Sequence, residues 1–119
     1  MTLKEALKEQ KQSKYHNQKI EIDGQKFDSK HEANRWIELK YMERVGLITD
    51  LYRQFPFKLL PGQRRNGKQV ERPIYYYADF VYTQNGELVV EDAKGVKTDV
   101  YKIKKKLMLY FFNIRIKEV

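Results

Sequence analysis

The stretch Ile74–Gly95, IYYYADFVYTQNGELVVEDAKG, decides the reading of this chain. Ile74 to Thr83 is rich in Tyr, Phe and Val, residue types that suit a pleated, half-buried strand. Asn85-Gly86 is a preferred pair for a two-residue hairpin turn, because both positions tolerate positive φ. Leu88 to Lys94 reads as the returning strand, and Gly95 ends it. Such a turn sets Gln84 opposite Glu87, and each outward step pairs the next residue on either side. Val81 then faces Val90, and Asp79 faces Asp92. Directly opposed side chains have Cβ atoms about 4.5–5.5 Å apart. Lys94, two residues past Asp92, shares its face. Two opposed like charges destabilise a sheet, and a sequence that breaks a local rule often does so at a functional position.

A divalent cation resolves the conflict. Mg²⁺ accepts one or two carboxylates and keeps several waters, which suits hydrolysis of a phosphodiester; Mn²⁺ can serve the same site. Lys94 would orient the attacking water or stabilise charge on the phosphate. The alternative is that Asp79 and Asp92 occupy solvent-exposed strand positions neutralised by Lys94, or that a one-residue register shift separates them. Glu91 is the neighbouring acid, but alternation points it to the opposite face.

Upstream, Lys19 to Phe27 reads as a small hairpin around Asp23-Gly24. A helix is expected from Ser29 to Val45, capped by Ser29 and stopped by Gly46, with Ala33, Trp36, Ile37 and Tyr41 as its apolar stripe. Glu32 completes the spacing of a capping box with Ser29; from the first helical turn it could instead reach a metal on an adjacent sheet, and the two roles compete for one side chain. Leu51 to Leu60 is a strand that Pro56 pushes toward a sheet edge or a bulge. Between Pro61 and Pro73 lies a polar loop with Arg64, Arg65, Lys68 and Arg72. Downstream, Thr98 caps a helix to Phe112 with Val100, Ile103, Leu107 and Tyr110 on one side, and Ile114 to Val119 is a closing strand. The layout is mixed α/β, a central sheet flanked by helices, with a polar tail over residues 1–18 and a single domain over 19–119.

Composition points to a polyanionic partner. Lys and Arg number 24 against 16 Asp and Glu, a net charge of +8 over 119 residues. Lys97, Lys102, Lys104, Lys105 and Lys106 surround the second helix. Carboxylates repel a phosphate backbone, so a nuclease needs such a cationic surround. The absence of cysteine excludes disulfides and thiolate sites. No secretory signal or membrane span is expected, and a cytoplasmic location fits. His16 and His31 give little support to a histidine-based site, and there is no phosphate-binding glycine loop.

The set YYADFVY, then VVEDAKG, resembles the D…(D/E)xK core of the PD-(D/E)xK nuclease superfamily. With Lys14-Tyr15-His16-Asn17, FDSKHEANRWIELK, the Gln54-containing strand, VVEDAKGVKTDVYKIKKKL and IRIKEV, it resembles one phage and prophage family over residues 14–119. The resemblance implies a restriction-endonuclease-like αβββαβ core. It implies Glu32 as the helix glutamate, Asp79, Asp92 and Glu32 as metal ligands, and Lys94 as the motif lysine. Gln54 falls where related nucleases place a polar residue near the site. Ala78 replaces the usual proline before the first aspartate. The implied activity is Mg²⁺- or Mn²⁺-dependent cleavage of DNA in phage recombination, replication or packaging. Arg64, Arg65, Lys68, Arg72, Lys97, Lys102 and Lys105 are then expected to meet DNA. Related phage nucleases include resolvases of branched DNA, which implies a homodimer for a four-way junction. A non-catalytic DNA-binding module on the same fold is the alternative.

Overall fold

The structure is a computed structural model and describes residues 19–119. The expected tail, residues 1–18, lies outside the described residues. The chain divides into two compact units, one ending at Glu38 and one spanning Leu39–Val119.

In the first unit, β1 (Ile20–Ile22) and β2 (Gln25–Phe27) pair antiparallel. Asp23 and Gly24, both at positive φ, close the hairpin as expected. Helix α1 (Lys30–Arg44) begins here. Ser29 Oγ accepts the Glu32 N–H at 3.1 Å, which satisfies an amide that a helix start leaves without an intrahelical partner. Phe27 and Trp36 pack with ring centroids 6.2 Å apart. The expected stripe is corrected. Ala33, Trp36 and Leu39 are buried, whereas Ile37 and Tyr41 are more than half exposed. The buried face also carries Glu32, so polarity hid part of that face from a hydrophobicity pattern.

The second unit is built on a four-stranded mixed sheet in the order β3-β6-β7-β8. Its strands are β3 (Thr49–Leu60), β6 (Ile74–Gln84), β7 (Glu87–Asp92) and β8 (Lys117–Glu118). Pro56 lies on the edge strand β3, where a missing N–H costs least. β4 (Gln63–Arg65) and β5 (Lys68–Glu71) form a separate hairpin. That hairpin replaces the expected loop. Asn66 and Gly67, at φ 52° and 77°, make the tight reversal. The closing strand is shorter than expected, with only Lys117 and Glu118 paired, parallel to β7.

Helix α2 (Asp99–Phe112) packs on the sheet. Thr98 caps it, its hydroxyl accepting the Tyr101 N–H at 3.1 Å, and Asn113 ends it in the left-handed conformation. Its core face is Tyr101 and Met108, with Leu107 partly buried; Val100, Ile103 and Tyr110 are exposed, contrary to the expected stripe. Lysines misled that reading. Lys104 and Lys105 are only partly exposed, as long side chains are when their stems lie on apolar surface and their ammonium groups reach water. Tyr101 and Met108 join Leu59, Tyr76, Ala78, Val81, Val90 and Ile116 in one core cluster.

That cluster reveals a departure from simple alternation. Ala78 and Val81, three apart on β6, share one face. Tyr52 and Phe55, three apart on β3, also touch, at 5.9 Å. Their ladder partners run Tyr52↔Val81, Arg53↔Phe80, then Phe55↔Ala78. Both strands therefore slip by one face at Gln54 and Asp79 while the register holds. Gln54 has φ 49°, the left-handed conformation that absorbs the slip.

Candidate active site

The turn at Asn85-Gly86 is present, and the β6–β7 ladder runs from Gln84↔Glu87 through Val81↔Val90 to Phe80↔Glu91. It stops one step short of Asp79 and Asp92. Asp92 pairs instead with Glu118 of β8. Freed from the ladder, Asp79 turns its carboxylate across the end of β7. Its Oδ2 accepts the Ala93 N–H at 2.8 Å, and its Oδ1 accepts from Gln54 Nε2 at 3.1 Å. Asp92 Oδ1 accepts the Lys94 N–H at 3.1 Å, and Oδ2 accepts from the Tyr76 hydroxyl at 2.7 Å. Both acids are buried, at 7% and 1% exposure.

The face slip explains how Tyr76 takes part. Regular alternation would place it opposite Asp92's face; the slip at Gln54 and Asp79 brings it back. Left-handed φ costs a residue such as Gln54 about 1–2 kcal/mol. Strain of that kind clusters at functional sites.

Burial raises the Asp92 carboxyl above the ordinary aspartate range. The Tyr76 hydrogen bond opposes that rise, the Asp79 charge adds to it, and the Lys94 charge and amide oppose it. Asp79, Asp92 and Lys94 are thus within electrostatic reach of one another. Burial and the bond to Asp92 push the Tyr76 phenol far up, so it remains a donor.

The donor set fits a hard divalent cation. Two buried carboxylates lie within electrostatic reach of each other, and each oxygen spends one lone pair on a hydrogen bond while retaining another. Mg²⁺ asks for one or two such groups and completes its shell with water. Among the described residues, no group of three or more His, Asp or Glu side chains is placed to hold an ion. Glu32 belongs to the first unit, where it is buried in the first turn of α1.

Beyond Asp92 lies a second cluster. The Lys94 ammonium sits over the Tyr101 ring, 5.8 Å from its centroid. The Tyr101 hydroxyl donates to Glu118 Oε2 at 3.0 Å. Lys105 Nζ reaches Glu118 Oε1 at 2.8 Å and Lys97 Nζ reaches Oε2 at 3.4 Å. Chiefly through Lys105, these partners hold the Glu118 carboxyl below its ordinary range. Lys102 is exposed on α2. Arg64, Arg65, Lys68 and Arg72 lie on or beside the wholly exposed β4–β5 hairpin. There Arg64 donates to the Gly67 carbonyl and Arg65 to that of Arg64.

Sequence reasoning missed Tyr76, Tyr101 and Glu118. Regular alternation from Asp79 puts Tyr76 on the other face, because the slip is invisible without φ. Tyr101 stands three residues past its cap, and that spacing alone marks it as the first inward position of the helix. Glu118 comes from a parallel pairing that no local pattern announces.

Fold and site together define a mixed α/β protein with a buried pair of aspartates and an adjacent lysine at the end of a hairpin. The chain belongs to DUF1064, a family of proteins of unknown function whose pattern covers residues 12–119. No curated protein and no solved structure matches it. Among the described residues, no helix is long and apolar enough to cross a membrane.

Proposed function

We propose that the protein is a Mg²⁺- or Mn²⁺-dependent DNA endonuclease on a restriction-endonuclease-like core. One observation carries the reading: two buried aspartates, each oriented by two hydrogen bonds, lie beside Lys94, and the Asp79 charge adds to the cost of ionising Asp92. A protein gains nothing in stability from a buried like-charge pair. The arrangement makes sense if a cation is shared between the two.

Asp79 and Asp92 would hold that ion, which when bound neutralises phosphate charge and acidifies water. Gln54 and the Ala93 amide aim Asp79. Tyr76 and the Lys94 amide aim Asp92. The Lys94 ammonium would donate to a phosphate oxygen as negative charge builds there. The exposed cationic hairpin and α2 would grip the backbone on either side.

The test is cleavage of linear duplex, single-stranded, flapped and four-way-junction DNA, with RNA as control, in Mg²⁺ or Mn²⁺ and in chelator. Cutting of at least one DNA that chelator stops is the expected result. No cutting of any substrate with either ion refutes the proposal. A homodimer is expected if the junction is the preferred substrate.

A second reading, a DNA-binding module without catalysis, draws on one observation: every oxygen of Asp79 and Asp92 already has a partner within the protein. Salt dependence of binding addresses the electrostatic part common to both. Arg64→Ala with Arg65→Ala is expected to reduce the slope of log affinity against log salt by about two, and Lys102→Ala by about one. Lys97 and Lys105, already paired with Glu118, should change it less. An unchanged slope places the altered residues outside the interface.

A further inference from the structure

We propose that Tyr101 is a positioning residue for Lys94, its ring face serving as a platform that the core packing around it holds still. The inference rests on the reading of Lys94 as the group that meets phosphate.

Lys94 follows the end of β7, where the ladder to β8 has finished at Asp92↔Glu118. It is exposed. An ammonium on a four-carbon stem has many rotamers there, and most leave it away from the acid pair. Its backbone amide is tied to Asp92. Among the described residues, the oriented contact of the ammonium is the Tyr101 ring at 5.8 Å, which is within the range of a cation–π attraction.

Tyr101 is built to stay still. It is 3% exposed and belongs to the core cluster. Its amide is held by the Thr98 cap, its ring packs on Tyr76 at 6.4 Å, and its hydroxyl donates to Glu118. Glu118 is itself fixed twice, by backbone pairing beside Asp92 and by Lys105 and Lys97. The chain of contacts therefore closes on itself: Asp92, Glu118, the Tyr101 hydroxyl, the Tyr101 ring, Lys94, and back to Asp92. Tyr76, which bonds Asp92, is the ring's neighbour. One packed unit thus sets the acid and the ammonium relative to each other.

An aromatic face shifts the signals of protons above it upfield, so the contact is measurable without any turnover. In the full-length protein, the ε-methylene protons of Lys94 are expected upfield of those of exposed lysines such as Lys102. Tyr101→Phe keeps the ring and should keep the shift. Tyr101→Met fills similar space without a ring and should abolish the shift, lowering turnover about fivefold at unchanged KM. Glu118→Gln keeps an acceptor for the hydroxyl and should retain the shift. An unshifted Lys94 in the wild-type protein overturns the proposal, whatever the variants do, and so does a Tyr101→Phe protein as slow as Tyr101→Met. A wild-type protein that shows the shift yet cuts no nucleic acid retires the nuclease reading and leaves the lysine contact standing.

Discussion

Asp92→Ala is expected to lower DNA cleavage by at least about a thousandfold while DNA affinity stays within a few-fold. Asp92 is one of the two proposed metal ligands, and it accepts hydrogen bonds from both the Lys94 amide and the Tyr76 hydroxyl. Its removal takes away metal affinity and the geometry of the remaining groups together. Binding should persist, because on the proposed reading affinity for a phosphate backbone would come from the cationic hairpin and helix. Lys94→Ala should likewise abolish cutting but leave metal binding in place. Cleavage rates measured beside fluorescence-anisotropy binding curves separate the two effects. Equal cutting by wild type and Asp92→Ala removes the catalytic assignment; loss of DNA binding in step with loss of cutting shows that Asp92 matters to the fold instead.

Mg²⁺ should raise the melting temperature of the wild-type protein by roughly 10 °C at a hundredfold excess over its dissociation constant, equivalent to about 2.7 kcal/mol. Asp92→Asn should show no such rise. Without metal, the same variant is expected to be more stable than wild type by about 1 kcal/mol, since it deletes a buried charge that repels Asp79. The pH dependence follows from the direction of the Asp92 shift. Its carboxyl is raised in the folded state above the ordinary value of 3.8. The uncharged acid therefore favours folding fully below that value, and the benefit is lost as pH rises through the raised folded value. The metal-free advantage of Asp92→Asn should grow across that window and level off above it. A Mg²⁺ ion held by Asp92 would require its ionised form, so the expected stabilising effect increases over the same window. Scanning calorimetry of both proteins, with and without Mg²⁺, measures all of these. A Mg²⁺ effect that survives in Asp92→Asn assigns the ion to other residues.

The hairpin that carries the site is legible because Asn85-Gly86 has one preferred geometry and its flanking strands are rich in Tyr, Phe and Val. Pairing could be counted outward from the turn as far as Phe80↔Glu91. Counting failed at the next step, since it assumes a strand that alternates without interruption. The left-handed backbone at Gln54 breaks that assumption, and only the folded chain shows it. Asp79 and Asp92 do come together, through side-chain hydrogen bonds at the strand end and not as ladder partners. Gln54 stands against Asp79, where the family resemblance implied a polar residue near the site. The helix stripes were misread for a physical reason: the buried face of α1 carries Glu32, and on α2 the partly exposed Lys104 and Lys105 lie between the buried Tyr101 and Met108, so hydrophobicity did not mark them. The second hairpin was readable, since Asn66-Gly67 repeats the turn chemistry of Asn85-Gly86, but the charges around it resembled a loop. Glu118 was not readable at all, because a parallel partner lies far along the chain.

Diffraction from crystals grown with Mn²⁺ tests the shared-cation claim most directly, since anomalous scattering locates the ion without reference to activity. The expected result is an ion bound by carboxylate oxygens of both Asp79 and Asp92, with water completing its shell. Manganese bound elsewhere, or absent from these two aspartates at millimolar concentration, contradicts it.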